Sequence, residues 1–213
     1  MLEFRPIFFN KSSNLMNKIK LLLVTIFFSL ILVACGGGSS SSSTSTSSNV
    51  TSILAIGDSI GAGFGGTTPW PSLVAAGTGI PVANDSSNGR KAAQSVGLVR
   101  SQVAAVNPSH VIILLGTNDA EDGNVGGAVS AMQQIVAETQ AAGVTIIVGT
   151  LTPLFRGNGG IFAQQISAGY RSLGVPIAEV EGAFGGNSSL IFDGIHPNNE
   201  GQQLIADTFI PQL

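Results

Sequence analysis

Ser59 stands in "AIGDSIGAGFGG", Ala55 to Gly66, where the same letters fit two chemistries. Gly57, Ser59 and Gly61 fit G-x-S-x-G, which sets a serine hydroxyl on a tight turn. Gly61, Gly63 and Gly66 fit G-x-G-x-x-G, which lays a pyrophosphate on a helix N-terminus. A serine hydroxyl is a weak nucleophile. It needs a base within hydrogen-bond reach, and the base needs a carboxylate to hold its tautomer. "DGIHP", Asp193 to Pro197, supplies both, because a spacing of three lets the Asp193 carboxylate reach Nδ1 of His196 while Nε2 faces the serine. The tetrahedral oxyanion of acyl transfer then requires preorganised donors, each worth about 3 to 4 kcal/mol. The backbone N–H groups of Ser59 and Gly89 and the side-chain amide of Asn118 can provide three.

The phosphate reading fits less well. Asp85 lies 19 residues after Gly66, where a ribose-binding acid would stand, but the glycines are displaced: GDS intervenes after the strand and "TTPWP" follows. Proline is admitted only in the first helical turn, so Pro69 and Pro71 around Trp70 would leave a pyrophosphate facing an irregular loop. An α/β-hydrolase elbow is also disfavoured. That elbow sits after several strands, whereas only 23 residues separate Cys35 from Ser59.

The positioning elements follow from periodicity. Short apolar, β-rich runs read as strands: "SILAI" from Ser52, "PVAN" from Pro81, "HVIILLG" from His110, "VTIIVGT" from Val144 and "VPIAEV" from Val175. Between them, Val96, Val99, Val103 and Val106 keep helical spacing, as do Val129, Met132, Ile135 and Val136, and Leu204, Ile205 and Phe209. Continuous apolar strands alternating with helices predict a parallel sheet covered on both faces, a three-layer α/β domain. In such sheets the chemistry lies beyond the carboxyl ends of the strands. Four polar clusters fall there or on the neighbouring edge: Gly57-Asp58-Ser59, Asp85 to Gly89, Gly116 to Asp119, and Asp193 to Pro197.

GDS near the start of the domain, a glycine loop after the second strand, G-x-N-D after the third and D-x-x-H near the end together resemble the SGNH (GDSL) hydrolase family. Ser59, Gly89, Asn118 and His196 stand at its four marker positions, and the resemblance covers 52–213. "DGIHPNNEGQQLIAD" is similar to the small bacterial acyl-thioesterase and lysophospholipase branch. The resemblance implies a flavodoxin-like three-layer α/β/α sandwich with a parallel five-stranded sheet. It also implies hydrolysis of esters through an acyl-serine, with no metal and no organic cofactor. Arg90 and Lys91 depart from the family's small or acidic residues, and read as an exposed helix start or as cations that meet an anionic substrate.

The N-terminus is of another kind. Lys18 and Lys20 precede a 14-residue apolar run, Leu21 to Ala34, which matches a signal-peptide core and is short for a membrane span. "LVAC" closes it, and Cys35 is the chain's single cysteine, which resembles the lipobox of bacterial lipoproteins. The expected organisation is a signal over 1–35, with Met16 a candidate true start, lipidation at Cys35, and a Gly/Ser/Thr-rich tether over 36–51. That places the domain in the bacterial cell envelope, at the outer membrane in a Gram-negative cell. After Cys35 the chain holds 5 basic and 11 acidic side chains, a net of −6, so nucleic acid is excluded as a partner. A monomer acting on a small acyl ester is expected.

Other residues receive structural readings. His110 opens an apolar strand, Asp58 supports the Ser59 turn, and Asp119, Glu121 and Asp122 form a solvated acidic loop without EF-hand spacing. Trp70, Phe64, Leu154 and Phe155 read as pocket lining or as core. The function that unites these features is a secreted, lipid-anchored serine esterase acting on carboxylic esters or thioesters. An O-acyltransferase or polysaccharide O-acetylesterase would use the same residues, and a non-catalytic binding lipoprotein would not need all four motifs.

Overall fold

The structure, a computed structural model, describes residues 49–213. The signal segment, Met16, Cys35 and the tether as far as residue 48 lie outside the described residues. At the tether's expected end the N–H groups of Thr51 and Ser52 donate to Ser109 Oγ at 3.0 and 3.2 Å.

Five parallel strands form one sheet: β1 (Ile53–Gly57), β2 (Val82–Ser86), β3 (His110–Leu114), β4 (Thr145–Gly149) and β5 (Ile177–Ala178), in the order β2-β1-β3-β4-β5. β1 and β3 are buried at every residue, as continuous apolar runs flanked by partners require. Register is fixed across the centre, with Ile56 opposite both Asp85 and Ile113. The helices are α1 (Ser59–Ala62), α2 (Trp70–Thr78), α3 (Ala92–Ser95), α4 (Leu98–Val106), α5 (Thr117–Glu121), α6 (Val125–Ala141), α7 (Gly159–Arg171), α8 (Val180–Phe184) and α9 (Asn199–Phe209).

These helices pack as two sets. α9 packs on both α2 and α8, and α6 packs on α3, α4, α5 and α7, which gives the expected α/β/α sandwich. The long α6 buries Ala128, Ala131, Met132, Ile135 and Val136 on one stripe, and α9 buries Ile205, Ala206 and Phe209. The Trp70 ring is wholly buried and stacks on Phe209 with centroids 4.8 Å apart. Such a pair adds about 0.5 to 1.5 kcal/mol beyond its area.

Two sequence expectations change. The valine series is not one helix, because Gly97 takes φ +77° and separates Val96 from α4, in which Val99 and Val103 are buried and Val106 is exposed. "VPIAEV" yields only two strand residues. The edge strand ends where Glu179 leaves extended geometry and Val180 opens α8, a turn secured by the Glu181 N–H donating to Thr150 Oγ1 at 2.9 Å.

β1 lies between β2 and β3, so the chain passes from β1 to one side and then returns to the other. The loops after β1 and β3 therefore diverge and open a crevice, the place where open α/β sheets bind ligands.

Candidate active site

Ser59 is the first residue of α1, directly beyond β1, and is buried. Asp58 caps that helix: its Oδ1 accepts the Ile60 N–H at 2.9 Å, and the carboxyl is fully buried. Burial pushes the Asp58 pKa up to about 6, against the opposing pull of the Ile60 N–H, the Thr117 side chain and His196. Asp58 thus supports the turn, as its place beside Ser59 suggests. The turn also presses against β2, since a side chain on Gly61 would collide with Ser86 Oγ, and Asn84 Nδ2 donates to Gly61 O at 2.9 Å.

Ser59 Oγ lies 3.0 Å from His196 Nε2. His196 Nδ1 lies 2.7 Å from Asp193 Oδ2. The other carboxylate oxygen, Asp193 Oδ1, accepts the N–H groups of Ile195 and His196 at 3.0 and 2.8 Å, so the loop's own backbone fixes the carboxylate. Burial works to raise the Asp193 pKa, but the bonds from His196 and Ile195 outweigh it and hold this carboxyl below its ordinary value. An ionised carboxylate on Nδ1–H leaves Nε2 as the acceptor that faces the serine hydroxyl.

The loop after β2 closes over the same edge. Ser87 N–H donates to Gly57 O at 3.2 Å, and Asn118 Nδ2 donates to Arg90 O at 3.0 Å, so Gly89, with φ +73°, lies in a segment held at both ends. Gly116, which precedes Asn118, has φ +127°, and a Cβ there would come within 2.8 Å of Tyr170 Oη. Only glycine makes this turn without strain. The buried Tyr170 hydroxyl donates to Leu115 O at 2.9 Å, and burial raises its pKa.

Arg90 and Lys91 are engaged with protein carboxylates. The Arg90 guanidinium grips Asp85 with Nη1 to Oδ2 at 2.8 Å and Nη2 to Oδ1 at 3.3 Å, while Lys91 pairs with Asp122. Arg90 is therefore not the exposed cation the sequence suggested: its side chain is 12% exposed, and its partner Asp85 also receives Gln102 Nε2. The acidic loop divides as well. Asp119, expected in solvent, is buried and accepts the Ala92 N–H at 2.9 Å, whereas Glu121 and Asp122 are exposed. Burial raises the Asp119 pKa. Among the described residues no group of three or more His, Cys, Asp or Glu is arranged to hold a metal ion.

The apolar candidates separate too. Trp70 belongs to the core, and Leu154 and Phe155 border a cavity of about 140 Å³ with Thr152, Pro153, Gly160 and Ala163. Phe64 lies face to face with the His196 ring at 4.1 Å. Phe192, passed over in the sequence, lies 6.0 Å from the same ring. Its signal was its place directly before Asp193.

A serine hydroxyl, imidazole and carboxylate in hydrogen-bonded series can form and break acyl-serine bonds. In sequence, residues 55–204 match the GDSL-like lipase/acylhydrolase family. No curated protein matches the chain. In fold it is similar to TesA (23% identity, 76% of this chain and 98% of that one covered, TM-score 0.67). It is similar also to the lipase/acylhydrolase from Enterococcus faecalis (21%, 76% and 95%, 0.65). The psychrotrophic esterase EstA from Pseudoalteromonas sp., solved inhibited by monoethylphosphonate, is a third such structure (22%, 76% and 95%, 0.60).

Proposed function

The chain belongs to the GDSL-like lipase/acylhydrolase family and is a serine ester hydrolase, and on that premise we propose that Ser59, His196 and Asp193 are its catalytic triad. Ser59 Oγ attacks the acyl carbonyl as His196 Nε2 takes its proton. His196 then delivers that proton to the leaving oxygen, and Asp193 holds the imidazole and stabilises its charged form. The N–H groups of Ser59 and Gly89 and the Asn118 amide receive the oxyanion. One N–H of that amide is engaged by Arg90 O, and the other is the one assigned here to the oxyanion. Water, activated by the same imidazole, releases the acid and restores Ser59.

The observation that carries this reading is the continuous relay from Ser59 Oγ to His196 at 3.0 Å and from His196 to Asp193 at 2.7 Å. The substrate proposed is a small carboxylic ester or thioester. We place the domain in the bacterial envelope, held by lipid on Cys35, on the strength of the apolar run that ends in "LVAC" and the Gly/Ser/Thr-rich stretch behind it.

The test is hydrolysis of p-nitrophenyl acetate and butyrate by the full chain and by Ser59→Ala, with fluorophosphonate labelling of both. Turnover and labelling in the wild type that vanish in the variant are expected. Turnover that survives Ser59→Ala would remove Ser59 from the mechanism.

A further inference from the structure

Two phenyl rings border the catalytic imidazole, and neither is needed to fill the core. Phe64 and Phe192 are 44% and 49% exposed, yet both lie near parallel to His196, each at 26°. Single exposed phenylalanines are ordinary; two gathered on one functional ring form a patch.

Both rings are held in place. Thr67 Oγ1 donates to Phe64 O at 3.2 Å, and Thr68 N–H donates to Asn199 Oδ1 at 2.9 Å. The fully buried Gln202 pins the same loop, donating to Ile60 O at 2.9 Å and to Thr67 Oγ1 at 3.3 Å. Gly65, with φ +77°, brings bare backbone against Phe192, so close that a Cβ there would lie 2.6 Å from Cζ.

In the acyl-serine mechanism, on which this inference rests, His196 Nε2 hands its proton to the departing oxygen. That oxygen must therefore come within about 2.6 to 3.2 Å of Nε2. The atoms that follow it in the alcohol then lie beside the rings that flank the imidazole. The acyl group extends from the other side of the carbonyl, and the carbonyl oxygen points to the oxyanion donors. We propose that Phe64 and Phe192 form the leaving-group subsite and select esters of flat, apolar alcohols, aromatic ones foremost, over esters of polyhydroxylated or charged alcohols. A flat ring gains face contact with the phenyl groups. A sugar or glycerophosphate would exchange water for phenyl surface and for the bare backbone of Gly65, which has no side chain to replace the lost hydrogen bonds.

The experiment compares kcat/KM for 2-naphthyl acetate and methyl acetate in the full chain, Phe64→Ala, Phe192→Ala and Phe192→Leu. The acetyl-enzyme is common to both substrates, so the ratio of the two values isolates the alcohol side of acylation. That ratio is expected to fall about tenfold in each alanine variant and by less in Phe192→Leu, which keeps apolar bulk without a flat face. A ratio unchanged in the variants, with both substrates slowed alike, would overturn the subsite and leave the rings as supports of the imidazole. Faster turnover of acetylated sugars than of the naphthyl ester would overturn it as well. A wild-type chain that fluorophosphonate does not label would instead bring down the acyl-serine reading beneath it.

Discussion

Replacing Asp58 by Asn separates the stability of the nucleophile turn from its chemistry. The carboxyl is fully buried, and its pKa is raised from the ordinary 3.8 to about 6 by burial, which the Ile60 N–H only partly offsets. Between those two values the folded protein keeps a proton that the unfolded chain has released. Stability therefore falls as pH rises through this window, and the penalty is complete above about pH 6. A difference of about two units at about 1.4 kcal/mol each amounts to about 3 kcal/mol. Asn at this position keeps an oxygen for the Ile60 N–H and does not titrate. Urea unfolding of the full chain and of Asp58→Asn, measured from about pH 4 to about pH 7, is expected to show the variant gaining on the wild type by up to about 3 kcal/mol, with the steepest change below pH 6. A difference that stays level across this range, or that runs the other way, would refute a raised Asp58 pKa and the buried, only partly compensated carboxyl behind it.

Asp193→Asn keeps the shape of the loop but cannot hold Nδ1–H as a carboxylate does, so kcat is expected to drop by about 10⁴ while KM changes little; a loss below tenfold would show that Asp193 does not set the tautomer. Arg90→Met removes the grip on Asp85 and slackens the segment that carries Gly89. We expect kcat/KM for p-nitrophenyl acetate to fall by about 10- to 100-fold and the unfolding free energy by about 1 kcal/mol; unchanged kinetics would mean that the Gly89 loop holds its place without this pair.

Much of the architecture is legible because it depends on local pattern. "ILAIG", "HVIIL" and "TIIVG" are short runs that can be satisfied only in the middle of a sheet, and they occupy β1, β3 and β4. The Asp193–His196 pair is legible for the same reason, since three residues of loop suffice to bring carboxylate and imidazole together. Asp119 and Arg90 were misjudged because charge alone says nothing of a partner 27 residues away, such as the Ala92 N–H, or of a grip on Asp85 formed across a loop. The end of β5 was misplaced because an edge strand has only one neighbour, and Val180 fits a helix start as well as a strand.

The sequence by itself determined the serine, histidine and aspartate proposed here for acyl transfer, the central strands of the sheet and the short loop that pairs His196 with Asp193. The tertiary structure alone decided that His196 meets Ser59 across 137 residues, that Asp58 is stripped of water, and that Phe64 and Phe192 close on the imidazole. Such contacts depend on the β2-β1-β3-β4-β5 order and on how α9 packs beside α2, and no local period or spacing encodes a distance between elements that meet only when the sheet has formed.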